Sequence, residues 1–457
     1  MSCCVFLSGF KTRFSRNSLM ISRRLVDRIA CFCVLALILS WSVPASAQKK
    51  AATKKTTRSA GGPANYSSKN FLLHTDLPAD EAKELLRKLE RMLSLISRYW
   101  ARSNGKVIEM YVVDDVNSWP PGTLDPRGLQ SIRSGGGITR STVLSRGNSF
   151  IAKATVFAVA RRGTPLHEAV HAYCAQSFGT TGPIWYGEGM AEMGCNWNEK
   201  DPSVHCESHI VRYIRGSDPK SLNEIINSPQ TTGDSWQNYA WRWALCHLLA
   251  NNPNYSQRFR PLGLGLLTKK NVSFEQVYGS MAQEISFEYR FFLKHIERGY
   301  RVDLCSWDWK TRYLKPRSKR ALSAKIKANL GWQPSRLFVK KGEDYQVSAS
   351  GTWRTSKDGK KLNANGDETG RGRLVGILFN DFQLSEPFDV GASGTFTSPG
   401  DGNLLLRCKD EWHEMADNDG KISVRLKRAG TRPGLPKSKD LEDAAEKSFD
   451  PPLGLKR

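Results

Sequence analysis

Acidic residues are the scarce sign in this sequence: 44 Asp and Glu stand against 68 Lys and Arg, a formal charge of +24. That imbalance favours anionic partners such as nucleic acid, anionic lipid or an anionic envelope polymer. No uncharged apolar run reaches the roughly 18 residues a membrane-spanning helix needs, which excludes a multi-pass transporter. Internal repeats are also missing. What is present, 39% hydrophobic and 10% aromatic residues over 457 positions, excludes collagen-like, coiled-coil and wholly disordered chains and is enough for two or three domains.

A basic stretch ending at Arg28 precedes the uncharged, mostly apolar residues Ile29 to Val43, and Pro44-Ala45-Ser46-Ala47 follows. This order predicts a secretory signal over 1–47, cleaved after Ala47, with Met20 as a plausible start. The mature chain is then secreted or periplasmic with no stable transmembrane anchor. In that setting a nucleic-acid partner is unexpected, no nucleic-acid motif is found, and envelope polymer is the better match to the charge. Six cysteines follow the signal. Only Cys195 and Cys206, which flank a polar loop, have a spacing that suits a local disulfide.

Residues 48–68 have little apolar content and predict a disordered linker. Helical spacing over Ala79 to Trp100, strands over Asn70 to His74, Val107 to Val113 and Ser149 to Ala160, and helices over Trp236 to Leu249 and Phe274 to Tyr300 mark one domain over 69–314. Gly135-Gly136-Gly137 reads as a loop and Pro261-Leu262-Gly263 as a helix break. A Lys- and Arg-rich run predicts a basic linker over 315–330. Short alternating segments over 331–428 predict a β-sandwich, and 429–457 a disordered tail.

Within the first domain, His167-Glu168-Ala169-Val170-His171 is an H-E-x-x-H motif in a chain that has only 8 histidines. On a helix, positions i and i+4 share a face, so both imidazoles reach one cation at ~2.0–2.1 Å with the glutamate beside it. Thr164-Pro165 suits the start of such a helix. Downstream, Trp185-Tyr186-Gly187-Glu188-Gly189-Met190-Ala191-Glu192 returns a carboxylate to that helix. Two His, one Glu and a water form the ligand set of hydrolytic zinc sites.

These two segments resemble the gluzincin metallopeptidases, of the peptidase MA type with a thermolysin-like core. The resemblance implies an α+β zincin domain in which His167, His171 and Glu188 bind zinc. It also implies that Glu168 is the general base and that Glu192 orients a ligand. The stretch from His171 to Glu188 is slightly shorter than in better-known members, so Glu192 stays the other candidate for third ligand. Family members often place a Tyr or His from a later helix at the oxyanion, and Tyr239 is the matching candidate. The strand Ser149 to Ala160 is a candidate to pair with an extended peptide. His205, His209 and His247 lack a second ligand at useful spacing.

In the second module, Gly331-Trp332-Gln333-Pro334, Ala349-Ser350-Gly351-Thr352-Trp353 and Ala416-Asp417-Asn418-Asp419-Gly420 resemble the galactose-binding β-sandwich of bacterial soluble lectins. That resemblance implies calcium held by Asp410, Glu414, Asp417 and Asn418, and a galactose-containing or anionic polysaccharide as partner. The combined expectation is an exported zinc metallopeptidase acting on a peptide or protein substrate, with a carbohydrate-binding module. The alternative is a non-catalytic envelope carbohydrate-binding protein whose metal site is structural or vestigial.

Overall fold

The computed structural model describes residues 62–146, 149–161, 163–198, 201–227, 235–315 and 321–429. The expected signal, the start of the first linker and the expected tail from residue 430 lie outside the described residues. Among the described residues no helix is long and apolar enough to cross a membrane.

The chain opens with strands β1 (Ala64–Ser67) and β2 (Phe71–Thr75), helix α1 (Ala79–Trp100), β3 (Ile108–Val113), α2 (Pro126–Arg133), β4 (Gly137–Arg146) and β5 (Ser149–Val159). They build a five-stranded sheet in the order β1-β2-β3-β5-β4. The central strands β2, β3 and β5 run parallel, and β1 and β4 are antiparallel edges. Ile108–Val113 alternates buried Ile108, Met110 and Val112 with half-buried Glu109 and Tyr111, the period of two that marks a strand. Helix α1 buries Leu86, Leu89, Leu93 and Ile96, the face its period predicts, and starts with Asp80 and Glu81 where the helix dipole favours acids.

Helices α3 (Thr164–Phe178), α4 (Ile184–Asn196), α5 (Ser208–Arg215), α6 (Leu222–Ile226), α7 (Trp236–Asn251), α8 (Ser256–Leu267), α9 (Phe274–Tyr278) and α10 (Ala282–His295) follow. The α1, α3, α4 and α7 apolar side chains join those of the sheet in one core. Strands β6 (Leu322–Lys327), β7 (Gln333–Val339), β8 (Asp344–Arg354), β9 (Leu374–Asn380), β10 (Gln383–Leu384), β11 (Phe388–Asp389), β12 (Ser393–Thr397), β13 (Gly402–Cys408) and β14 (Asp419–Arg428) complete the chain. They form two antiparallel sheets, β10-β9-β13-β7 and β12-β8-β14-β6, with β11 also on β9. Leu322, Ile326, Tyr345, Val347, Ile422 and Val424 of one sheet meet Leu337, Leu374, Leu404 and Leu406 of the other in a second core. A third cluster, Phe291, Trp307, Trp332, Val375, Ile377 and Leu405, joins α10 to the sandwich.

Several local expectations are corrected. Ala64–Ser67, inside the expected disordered linker, is a strand paired with β2. The Gly135-Gly136-Gly137 stretch leads straight into β4, whose Ser, Thr and Arg content hid a strand paired along its whole length with β5. Pro261 lies inside α8 and does not break it, because a proline removes only one helical hydrogen bond and the flanking turns are packed. In the expected basic linker, Leu322–Lys327 alternates buried Leu322 and Ile326 with exposed Ser323, Lys325 and Lys327, and pairs with β14. All six cysteines in the described residues are free thiols, Cys195 and Cys206 included.

Candidate metal centre

Helix α3 is buried on nearly all sides, with His167, Glu168 and His171 each less than 9% exposed. Its cap is Gly163, at φ +73°, one residue before the expected Thr164, and Pro165 sits in the first turn where its missing N–H has no helical partner to lose. Gly179 ends the helix in the left-handed conformation, and five residues later α4 begins. That short turn lays α4 back along α3. On its other side α4 packs so closely on α7 that a Cβ at Gly189 would lie 2.4 Å from Cys246 Sγ and 2.8 Å from the Arg242 carbonyl oxygen. The glycine beside Glu188 is therefore a requirement of the helix approach that fixes where Glu188 points.

The result is a convergence of three donor atoms. Glu188 Oε2 lies 3.1 Å from His167 Nε2 and 3.3 Å from His171 Nε2, and the two Nε2 atoms are 3.1 Å apart. Ligands ~2.0 Å from a tetrahedral cation stand roughly 3.3 Å from one another, so this triangle has the edge length of a zinc site. Residues His167, His171 and Glu188 form a group that could hold a metal ion. Glu188 is 1% exposed. Burial alone would raise its carboxyl; the His171 and His167 rings outweigh that and hold it well below the usual carboxylate range. For His167, burial disfavours the charged ring, but the bonds to Glu188 and Glu192 prevail and push its pKa well above the ordinary value. Two imidazole nitrogens and one carboxylate oxygen thus converge on one point, with Glu192 adding negative charge behind His167.

Glu192, one helical turn after Glu188, does not reach the triangle. Its Oε1 lies 2.9 Å from His167 Nδ1. A carboxylate there accepts a hydrogen bond from Nδ1–H and favours the tautomer whose Nε2 lone pair faces the triangle, the arrangement that orients a metal-bound histidine. Glu168 points to the other side. Thr139 Oγ1 of β4 donates to Glu168 Oε2 at 2.8 Å, and a Cβ at Gly137 would lie 2.7 Å from Glu168 Cγ. Sequence reasoning missed Thr139 and Gly137 because Gly135-Gly136-Gly137 reads as a loop and the polar residues after it carry no strand signal. Tyr239, half-buried on α7, stacks on His167 with ring centroids 5.5 Å apart and an interplanar angle of 27°.

His167, Glu192 and Cys195 make a second group with ligand-type atoms within 4.8 Å of one another. Cys195 Sγ donates to the Gly163 carbonyl at 3.4 Å, and burial, then Glu192 and Glu168, push its thiol well above the ordinary pKa. Cys195 belongs to this second group and not to the His167, His171 and Glu188 triangle. A cavity of about 700 Å³ bordered by Asp80, Glu81, Glu84, Lys88, Glu192 and Cys195 lies on this Nδ1 side of His167; His171, Glu188 and Glu168 do not line it. The other histidines take structural places. His247 is buried beside Phe292, with its pKa pushed down to about 4 by burial, and His205 and His209 pair with Asp201 and Glu207.

The strand proposed for peptide pairing, β5, has no free edge along its inner half, since β3 and β4 flank it. Of the two edges of this sheet, β1 and β4, it is β4 that lies beside β5. Val159 N–H donates to the Gly136 carbonyl, so the antiparallel alternation turns the backbone groups of Gly137 and Thr139 away from β5. That edge runs past Glu168.

In the sandwich, the expected calcium residues Asp410, Glu414 and Asp417 belong to none of the groups of three ligand-type atoms within 4.8 Å of one another among the described residues. The Arg371 guanidinium bridges two of them: Nε lies 2.7 Å from Asp410 Oδ1 and Nη2 donates to Glu414 Oε2 at 2.8 Å and to the Thr355 carbonyl at 3.0 Å. Asp417 accepts from the Lys357 N–H, and Asn418 Nδ2 donates to the Ala328 carbonyl. Asp410 Oδ2 and Asn418 Oδ1 are buried without a hydrogen-bond partner.

No protein-family model matches this chain, and no curated protein matches it. Among solved structures, a match described as the EclA N-terminal domain, a PllA-like lectin, is 25% identical, covers 24% of this chain and 96% of its own, and has a TM-score of 0.20. A second, the IMPa metallopeptidase from Pseudomonas aeruginosa, is 13% identical, covers 48% of this chain and 26% of its own, and has a TM-score of 0.16. At such scores neither likeness shows a shared fold. What the chain itself supplies is an α+β architecture and a His-His-Glu cluster that could bind a metal.

Proposed function

We propose that this chain is a zinc-dependent metallopeptidase with His167, His171 and Glu188 as the protein ligands. The observation that carries the reading is the triangle of two Nε2 atoms and one carboxylate oxygen with 3.1–3.3 Å edges. Zinc bound there would act as a Lewis acid and lower the pKa of a coordinated water towards ~7. Glu192 fixes the tautomer of His167 from behind. Glu168, with Oε2 engaged by Thr139, keeps Oε1 to accept the proton of the attacking water and later deliver it to the leaving amine. The Gly137 carbonyl on the outward edge of β4 already accepts from Ser131 Oγ at 2.7 Å, so the Gly137 N–H and the Thr139 backbone are the groups offered to an extended peptide, which brings its carbonyl beside Glu168. Tyr239, steadied against His167, is the candidate donor to the oxyanion. A structural zinc site is closed by a fourth protein ligand, often a thiolate, and among the described residues no Cys, Asp, Glu or further His joins the group of His167, His171 and Glu188.

Elemental analysis of the purified chain tests this. About one zinc per chain is expected in the wild type and less than about a tenth of that in Glu188→Gln, because loss of one of three ligands removes most of the binding free energy. A zinc-free wild type after reconstitution, or full zinc in the variant, refutes the site.

For the sandwich we propose that the Arg371 guanidinium serves as the resident countercharge where calcium was expected. A cation placed between two carboxylates offsets their charge, with a hydrogen bond from Nη2 to Glu414 and an ion-pair contact to Asp410. Calcium at millimolar concentration is then expected to leave the wild-type Tm within about 1 °C, whereas Arg371→Ala, which frees Asp410 and Glu414 beside two unpartnered buried oxygens, gains several degrees. Thermal scans with calcium and with chelator check both; a calcium-dependent wild-type Tm restores the original expectation.

A further inference from the structure

The strands β6, β14 and β8 turn one side to the core and the other to solvent, and the solvent side is dominated by cations and hydroxyls, with Asp344 of β8 and Asp419 of β14 towards its ends. We propose that this outward sheet face is a binding surface for an anionic polysaccharide. Lys325 and Lys327 of β6, and Lys421, Arg425 and Lys427 of β14, are all exposed on it. The register sets Lys327 directly opposite Lys421, and Lys325 opposite Ser423. On the next strand, Thr352 lies opposite Lys421, Ser350 opposite Ser423 and Ser348 opposite Arg425.

Like charges facing each other across a ladder destabilise a sheet, so a folded chain gains nothing from Lys327 beside Lys421 unless an anion lies over them. None of the five cations takes part in an ion pair among the described residues. The single carboxylate among the exposed β14 positions, Asp419, stands at the end of the strand opposite Arg354. Cations therefore sit roughly 7 Å apart along a strand and roughly 4.8 Å apart across strands, with hydroxyl groups between them.

Charge and composition choose the partner. The face carries no aromatic side chain on which a base could stack, which disfavours single-stranded nucleic acid. It carries no apolar side chain to enter a bilayer, which disfavours a lipid surface. Cations interspersed with Ser and Thr hydroxyls suit a polymer whose own surface is anionic groups among hydroxyls. This surface is separate from the loop that holds Arg371 and from the metal centre, and it does not depend on the function proposed for either.

The test uses the full chain on immobilised polygalacturonate, which presents carboxylates, on dextran sulfate, which presents sulfate esters, and on neutral dextran. Wild type is expected to bind one or both anionic polymers at low salt, to be released as salt rises, and to pass through neutral dextran. The pair Lys421→Glu with Arg425→Glu is expected to weaken binding about tenfold or more, and the milder Lys421→Gln with Arg425→Gln about threefold. Lys83→Glu with Arg87→Glu, the same charge change on α1, is expected to stay within about twofold of wild type. Circular dichroism and zinc content should match wild type in every variant, so that the outcome is distinguishable from failure of the metal site. Equal weakening by the α1 pair, or wild-type binding by the β14 pair, overturns the proposal. So does tighter binding of oligothymidylate or phosphatidylglycerol vesicles than of either polysaccharide.

Discussion

Replacing Glu168 by glutamine is expected to cut peptide hydrolysis roughly 10³-fold, in the middle of the 10²–10⁴ range that a positioned general base contributes. The variant should hold as much zinc as wild type. Glutamine has the same shape and still offers an oxygen to Thr139 Oγ1, so the 2.8 Å contact that sets the side chain against β4 survives. What is lost is an atom able to take a proton from water, since an amide oxygen is far too weak a base. The triad is untouched, because Glu168 is not one of the three converging donors. Thr139→Val is the companion change. It leaves the carboxylate but removes the hydroxyl that orients it, and a positioning role predicts a loss well short of that in Glu168→Gln. Initial rates on a quenched fluorescent peptide library, normalised to zinc content, report both. Wild-type rates in Glu168→Gln would sink the proposed mechanism, whereas a zinc-loaded wild type with no hydrolysis at all would favour the non-catalytic carbohydrate-binding alternative.

The contrast between Glu168 and Thr139 shows which parts of the site could be read from the sequence. His167, Glu168 and His171 are spaced by one helix, and Glu188 and Glu192 by another, so a period of 3.6 residues places each group without tertiary knowledge. The distinction between Glu188 and Glu192 was not legible. It depends on how far α4 slides along α3, which the turn at Gly179 and the α7 contact at Gly189 decide. Thr139 and Gly137 were hidden for a different reason: β4 is an edge strand, with polar residues where a central strand has Val or Ile, and two glycines precede it while a third begins it. The same weakness hid β6, where lysines alternate with Leu322 and Ile326 and the charge masked the period. Arg371 is 43 residues from Glu414 in sequence, and no local pattern links the two. Long-range polar contacts of this kind are set by sheet register, and the acidic cluster alone could equally suggest a cation from solvent.

Glu288, which no motif singled out, is expected to be among the most sensitive positions in the chain: Glu288→Ala should cost about 4 kcal/mol or more. This carboxylate is only 5% exposed and accepts five hydrogen bonds. Asn252 Nδ2 (2.6 Å) and the Trp307 N–H (3.0 Å) reach Oε2. Asn254 Nδ2 (3.0 Å), the Tyr255 hydroxyl (2.6 Å) and Trp309 Nε1 (2.8 Å) reach Oε1. One side chain on α10 thereby fastens the α7–α8 turn to the segment that follows α10. Truncation leaves five donors in a space closed to water, and a buried donor without a partner costs ~1–3 kcal/mol. Relaxation and water entry recover part of that sum. Glu288→Gln keeps the volume but turns an NH₂ group towards donors, so it should cost less than alanine but still ~2 kcal/mol or more. The effect should also reach the sandwich, because Trp307 and Trp309 pack with Phe287 and Phe379 of β9. Urea titrations followed by tryptophan fluorescence and by circular dichroism test this. If Trp307 and Trp309 let go of the sandwich first, fluorescence will change at lower urea than circular dichroism in the variants and together with it in wild type. A stability loss below about 1 kcal/mol in Glu288→Ala would mean that the five donors find other partners and that the hub does not hold these segments together.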